Sequence, residues 1–383
     1  MGWAVRPLDR RWTQQLPPIR GGVALDALHI LTQSTFVVAV NTLYAIPIKL
    51  LHVTDVQAIG VQVSTLSAGN CRVGLYADNA GIPGILIQDV GVVATGTTGA
   101  KWQAMVRTLQ PGMYWAVCIF DATPTMRAQT TTFAGPGMLG WLSGTDTAKK
   151  AGWSVAQAYG ALPDPFTGGG ALVQQVPIVC LWISRSQYAY GEFDADLSRW
   201  QVARYSPVLD IPYSFVSGRY YESPLALSST ITSTLYVTKD ILYAVPFYVG
   251  ASTTFTEIGI EVTTLVALSN VRLGIYNMGA GVPGSLVLDA GAVGTAAVAY
   301  SAIAINQVLT PGWYWLGGVF SHTPYVRAKA TTQVHEGLGL TTNEDVTSHP
   351  GWSVAQAYGA LPDPFTGGGA LMTGSAPRFM LKV

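Results

Sequence analysis

GWSVAQAYGALPDPFTGGGAL runs from Gly152 to Leu172, and the same 21 residues run again, unchanged, from Gly351 to Leu371. A segment repeated at one fixed offset marks an internal duplication. Reading outward from it, the register holds on both sides. Pro111-Gly-Met-Tyr-Trp115 returns as Pro311-Gly-Trp-Tyr-Trp315, and Cys71-Arg-Val-Gly-Leu-Tyr76 as Val271-Arg-Leu-Gly-Ile-Tyr276. Gly81-Ile-Pro-Gly84 returns as Gly281-Val-Pro-Gly284, and Tyr44-Ala-Ile-Pro47 as Tyr243-Ala-Val-Pro246. The first copy is expected over residues 25–184 and the second over 224–383. A charged, aromatic-rich stretch, 185–223, forms a packed connector between them, and residues 1–24, with Trp3 and Trp12, form an N-terminal docking arm.

Within each copy, short runs rich in Val, Ile, Thr, Tyr and Trp alternate with turn residues every 8 to 12 positions or so, the spacing of a sandwich or barrel. About eight strands per copy are predicted and no amphipathic helix competes with them. The expected fold is all-β: two tandem jelly-roll-like β-sandwich domains. Val271, Leu273 and Ile275 share one side of a strand, which leaves Arg272 and Tyr276 on an outward face. The strand after Pro311-Gly312 has no polar face, so it requires cover on both sides. The Gly-x-Pro-Gly segments are expected to turn between strands.

Charged residues make up 11% of the 383 and hydrophobic ones 49%, with Lys+Arg and Asp+Glu balanced at 21 each. An average soluble domain carries roughly 25% charge, so the usual charged coat is thin and the surface suits burial in an assembly. Without a basic field there is no expectation of nucleic-acid binding. The uncharged stretch from Ala290 to Val326 is broken by Asn306, Gln307, Pro311 and Gly312 and reads as strands and turns, not as a membrane insertion. Arg6, Asp9, Arg10 and Arg11 precede no apolar segment, so no secretory leader is expected. The three cysteines, Cys71, Cys118 and Cys180, are widely spaced and face apolar or small residues in the second copy, which makes them core fillers.

Arg272-Leu-Gly-Ile-Tyr276, Gly281-Val-Pro-Gly284 with Leu288-Asp289, Leu309-Thr-Pro-Gly-Trp-Tyr-Trp315 and the lead-in Gly218-Arg-Tyr-Tyr221 resemble jelly-roll domains that recur in the virion proteins of tailed bacteriophages. The resemblance covers both copies. It implies a structural protein of the virion, assembled in the host cytoplasm: a tail-fibre or tail-tip component contributing to host-surface attachment. The runner-up is a capsid decoration or head-fibre protein. Partners would be other virion proteins and further copies of the chain, as a homotrimer, with host polysaccharide or protein as the surface contacted.

No nucleophile–base pair, paired carboxylates or metal cluster stands out, so neither enzymatic activity nor a cofactor or metal is expected. The repeated 21-mer is the candidate binding element. Trp153, Tyr159, Asp164 and Phe166, with Trp352, Tyr358, Asp363 and Phe365, place aromatic faces and a carboxylate in a Gly/Pro-rich loop. Such a set suits a sugar ring and its hydroxyls, which leaves a carbohydrate-binding pair as a further reading. The same rings equally suit a protein contact or pinning the loop onto the sandwich.

Overall fold

The computed structural model describes residues 22–25, 34–50, 53–130, 139–147, 150–184, 192–194, 199–201, 215–223, 231, 233–330 and 349–383. Trp3 and Trp12, and with them most of the expected docking arm, lie outside the described residues, as does most of the connector. Every regular element described is a β-strand, and every pairing between strands is antiparallel. Among the described residues no helix is long and apolar enough to cross a membrane.

Each half contains a seven-stranded and a six-stranded sheet, and strand order is the same in both halves. In the first, the six-stranded sheet runs Ala171–Val173, Gly152–Ala156, Thr42–Leu50, Gly112–Phe120, Asn70–Asn79, Ile82–Ala94. In the second it runs Ala370–Leu371, Trp352–Ala355, Ile241–Val249, Gly312–Phe320, Asn270–Met278, Pro283–Gly294. The seven-stranded sheets are built around Thr54–Thr65 and Thr253–Thr264, each paired to a closing strand, Val179–Ser184 and Phe379–Lys382. Gly22–Leu25 and Tyr220–Glu222 add to those closing strands, so the pairing extends each half outward past residues 25 and 224.

The period-two pattern explains the core. Ile46, Ile48, Val73 and Leu75 from one sheet meet Val56, Val61, Leu181 and Ile183 from the other, all buried. The second half repeats this with Val245, Phe247, Leu273 and Ile275 against Ile258, Ile260, Phe379 and Leu381. Cys71, Cys118 and Cys180 are free and buried, as expected of fillers, and desolvation pushes the Cys71 thiol well up.

Two sequence expectations need correction. Tyr276 does not face solvent: with Tyr76 it is fully buried, because the outer face of the six-stranded sheet is itself covered. That cover is what the apolar strand Gly312–Phe320 required, with Leu316 and Phe320 inside and Trp315 and Val319 outside. The Gly-x-Pro-Gly segments are not turns throughout. In the first half the turn is Ala80-Gly81, both at positive φ (51° and 82°), while Pro83 and Gly84 already lie in the strand Ile82–Ala94. Two left-handed residues in a two-residue connection match the strand twist, and Gly at the second makes that affordable.

The two halves interlock. Residues 139–147, between two strands of the first half, reach across to the second, where Trp141 exchanges backbone hydrogen bonds with Tyr220 at 2.8 and 3.0 Å. The Trp141 side chain is 1% exposed, packed with Ile231, Met380, Tyr220 and Tyr300. Below it lies a buried ion network. The Arg378 guanidinium sits 4.3 Å from the Trp141 ring centroid, binds Glu222 and donates to the Asp146 carbonyl at 2.9 Å. Lys329 lies 3.3 Å from Glu222 and donates to the Ser223 carbonyl at 2.8 Å. Burial pushes the Lys329 ammonium down to about 8, against the opposing pull of Glu222. Buried charges are tolerated only when paired and hydrogen-bonded in this way.

Candidate functional site

The repeated loop does not stand free of the sandwich; it is fitted to a platform made by the Arg-x-Gly-x-Tyr strand, whose residues each hold a different part of the loop. Arg72 binds Asp89 through Nε at 2.8 Å, and Arg272 binds Asp289 at 2.9 Å. Held there, Asp89 accepts the Leu162 N–H at 3.0 Å, and Asp289 the Leu361 N–H at 3.1 Å. Gly74 and Gly274 leave room for the leucines: an added Cβ would meet Leu162 Cδ1 at 2.2 Å and Leu361 Cδ1 at 2.3 Å. Tyr76 and Tyr276 take Phe166 and Phe365 edge-on, with centroids 5.1 and 5.0 Å apart. The Tyr76 hydroxyl also donates to the Pro163 carbonyl at 2.6 Å, and burial raises both tyrosines well above the ordinary phenol value.

The remaining loop residues tighten the fit. Asp164 and Asp363 each precede a cis proline and accept a sheet N–H, from Leu86 and Leu286, at 3.0 Å. Phe166 and Phe365 donate their backbone N–H to Gly84 and Gly284 at 2.9 Å. At the other end the Tyr159 N–H reaches the Asn41 side chain at 2.9 Å, and the Tyr358 N–H the Asp240 side chain at 2.8 Å. The triple-glycine run crosses the indoles so closely that a Cβ at Gly170 would fall 2.0 Å from Trp153 Nε1, and one at Gly369 2.2 Å from Trp352 Nε1.

Both halves therefore bring their four predicted residues onto one face, but not into an open pocket of aromatic platforms. Phe166 and Phe365 are 9% and 7% exposed and occupied by tyrosine, while Asp164 and Asp363 are engaged by backbone. Trp153, Tyr159, Trp352 and Tyr358 stay half-buried at the outer edge of the loop, and Arg219 lies 5.5 Å over the Trp153 ring. Among the described residues no group of three or more His, Cys, Asp and Glu is placed to hold a metal ion. His349, one of two described histidines, is buried against the Met372 carbonyl at 2.9 Å.

No known protein family matches this chain. Nor does any curated protein match it by sequence. The chemistry of the loop therefore rests on its own geometry. The aspartates and arginines of the platform and the loop aspartates are taken up in holding the loop, while the Tyr159 and Tyr276 hydroxyls are buried without a hydrogen-bond partner, which makes the 21-mer a built-in clasp over the sheet. The sequence missed Trp141 and Arg378, which join the halves, and Glu222 and Lys329, which pair with Arg378 or its partner beneath the seam. Their signal was a departure from the repeat: Arg378 just before the closing strand Phe379–Lys382 and Lys329 at the end of the strand Tyr325–Lys329, where the first copy has Ile178 and Gln129.

Proposed function

We propose that the chain is a non-enzymatic structural protein of a tailed-phage virion, a tail-fibre or tail-tip component that contributes to host-surface attachment through tandem jelly-roll domains. The observation that supports this best is the double clasp. Two sandwiches are each sealed by an identical loop and joined by the buried Trp141 and by the Arg378 hydrogen bond to the Asp146 carbonyl, which gives one stiff block suited to bearing force between particle and cell. The sequence resemblance and the thin charged coat point the same way. Asp164 and Asp363 bind backbone N–H groups, and Asp89 and Asp289 bind arginine, so they are not free to act as an acid–base pair at a glycosidic bond. A sugar contact is retained as a second reading at Trp352 and Tyr358, whose half-buried rings sit at the loop's outer edge.

The test is quantitative mass spectrometry of separated heads and tails from intact particles. A few to a few dozen copies per particle, found with tails, is the expected result. Copies in the hundreds with heads would replace the attachment role by capsid decoration, and absence from particles would overturn the virion reading.

A further inference from the structure

At the seam between the halves, three buried side-chain atoms have a proton to donate and, among the described residues, no acceptor to take it: Trp141 Nε1, Arg378 Nη2 and Tyr300 Oη. They belong to one packed cluster. Trp141 lies against Met380 and Tyr300, and the Arg378 guanidinium is 4.3 Å from the centroid of its ring. The Tyr300 ring is held between the halves: a Cβ at Gly144 of the arm would stand 2.2 Å from it, and one at Gly259 of the sheet 2.6 Å from its hydroxyl. Gly259 pairs with Met380, so the hydroxyl, the indole and the guanidinium stand over the same few residues of the sheet. Buried donors without an acceptor are costly, and each calls for a bound water or ion as its partner.

The charge around these donors favours an anion over water. Arg327, Lys329 and Arg378 face Glu222 and Glu261, three positive groups against two negative. Among the described residues, the neighbouring carboxylates are paired elsewhere: Asp146 with Lys150 at 3.2 Å and Glu257 with Lys382 at 2.6 Å. Glu222 Oε1 itself lies 3.3 Å from Lys329 Nζ. The indole and guanidinium N–H groups can only donate, and burial keeps the Tyr300 hydroxyl protonated well beyond the ordinary phenol range. A water molecule has two protons of its own to place; a halide has none and accepts from all three donors. The first half offers no such set, since Ala100, Ile178 and Gln129 stand where the second has Tyr300, Arg378 and Lys329.

We propose that the seam binds a small monovalent anion of the halide class, chloride in ordinary media, which accepts from Trp141 Nε1, Arg378 Nη2 and the Tyr300 hydroxyl. One of these donors comes from the first half's arm and two from the second half's sheet, so the anion ties the halves together. The stability of the joined block then rises with halide in the medium, because the ion binds the docked seam and not the separated halves. The site does not rest on the virion reading, since every donor belongs to this chain.

Thermal melting of the full chain over a millimolar-to-molar series of sodium chloride, with sodium gluconate holding the ionic strength constant, tests it. The midpoint should rise by about 3–5 °C for each tenfold increase in chloride above half-saturation. Trp141→Phe keeps an aromatic ring and removes the N–H, and Tyr300→Phe removes only the hydroxyl; each should move that rise to about tenfold higher chloride. Leu142→Ala, outside the site, should leave it in place. A wild-type midpoint that is the same in chloride and gluconate, or a rise that both phenylalanine variants keep unshifted, overturns the proposal. If either variant fails to fold, bromide in crystals of the wild-type chain decides. An anomalous peak within hydrogen-bond reach of Trp141 Nε1 and Arg378 Nη2 is the expected result, and no peak at the seam in concentrated bromide overturns the proposal.

Discussion

Replacing Trp141 by alanine removes the largest side chain that one half inserts into the other. The indole is 1% exposed and packs on Ile231, Met380, Tyr220 and Tyr300, with the Arg378 guanidinium 4.3 Å beneath it. Burying an aromatic of this size removes roughly 200 Å² from water, about 5 kcal/mol at ~25 cal/mol/Å². Truncations of buried Trp in cores cost ~3–5 kcal/mol, and a desolvated cation–π contact is worth up to ~2. These estimates overlap, since all count the same contact, and together they set the expected loss at about 4 kcal/mol. The two backbone hydrogen bonds to Tyr220 remain available to alanine, so they do not add to it. The loss falls on the seam between halves and on the second half's outer face, not on either inner core. For a unit of ~150–250 residues each kcal/mol moves the melting midpoint by ~2–4 °C, so the second half should melt about 10 °C lower while the first is little changed. Calorimetry should then show two transitions where the parent shows one, and limited proteolysis should cut between the halves. Leu142→Ala, at a neighbouring residue 51% exposed, is the control and should change stability by no more than ~0.5 kcal/mol. If Trp141→Ala leaves a single transition within ~1 kcal/mol of the parent, the arm is not what joins the halves.

Other predictions follow from the same contacts. Gly144→Ala should unseat the arm by ~1–3 kcal/mol, because an added Cβ would stand 2.2 Å from the Tyr300 ring; urea unfolding measures it. Phe166→Ala and Phe365→Ala should each cost ~3–5 kcal/mol and by similar amounts, since the two rings meet tyrosine at nearly the same distance; a large inequality would show that the clasps are not equivalent. The pH dependence has a defined sign. Lys329 stands at about 8 in the folded chain against 10.5 for the free side chain, so the unfolded chain binds more protons between those values and stability rises with pH there. From pH 10 the buried tyrosines act oppositely: burial holds Tyr221 up at about 12 against 10.0, so ionisation of the unfolded chain erodes stability. Denaturation curves from pH 7 to 11 should show the rise and then the fall, and Lys329→Met should remove the rise alone.

What the sequence determined by itself was local and periodic. Alternation in Val271-Arg-Leu-Gly-Ile-Tyr276 fixes a strand and its inner face from the two-residue period, with no knowledge of what lies opposite. The apolar strand Gly312–Phe320 announces cover on both sides for the same reason. Duplication is visible because identical segments recur in register, whatever they fold into. The outward face of Tyr276 was misjudged because periodicity says which side a residue is on and not what covers that side. Only the tertiary structure decided that the 21-mer folds back over its own sheet, with Leu162 on Gly74 and Phe166 against Tyr76, which is why those glycines and tyrosines stand where they do. Likewise Arg378 and Asp146, 232 residues apart in the chain, meet only when two finished sandwiches are set side by side. Such pairings depend on shape and desolvation across sheets, and nothing in a short stretch of sequence carries them.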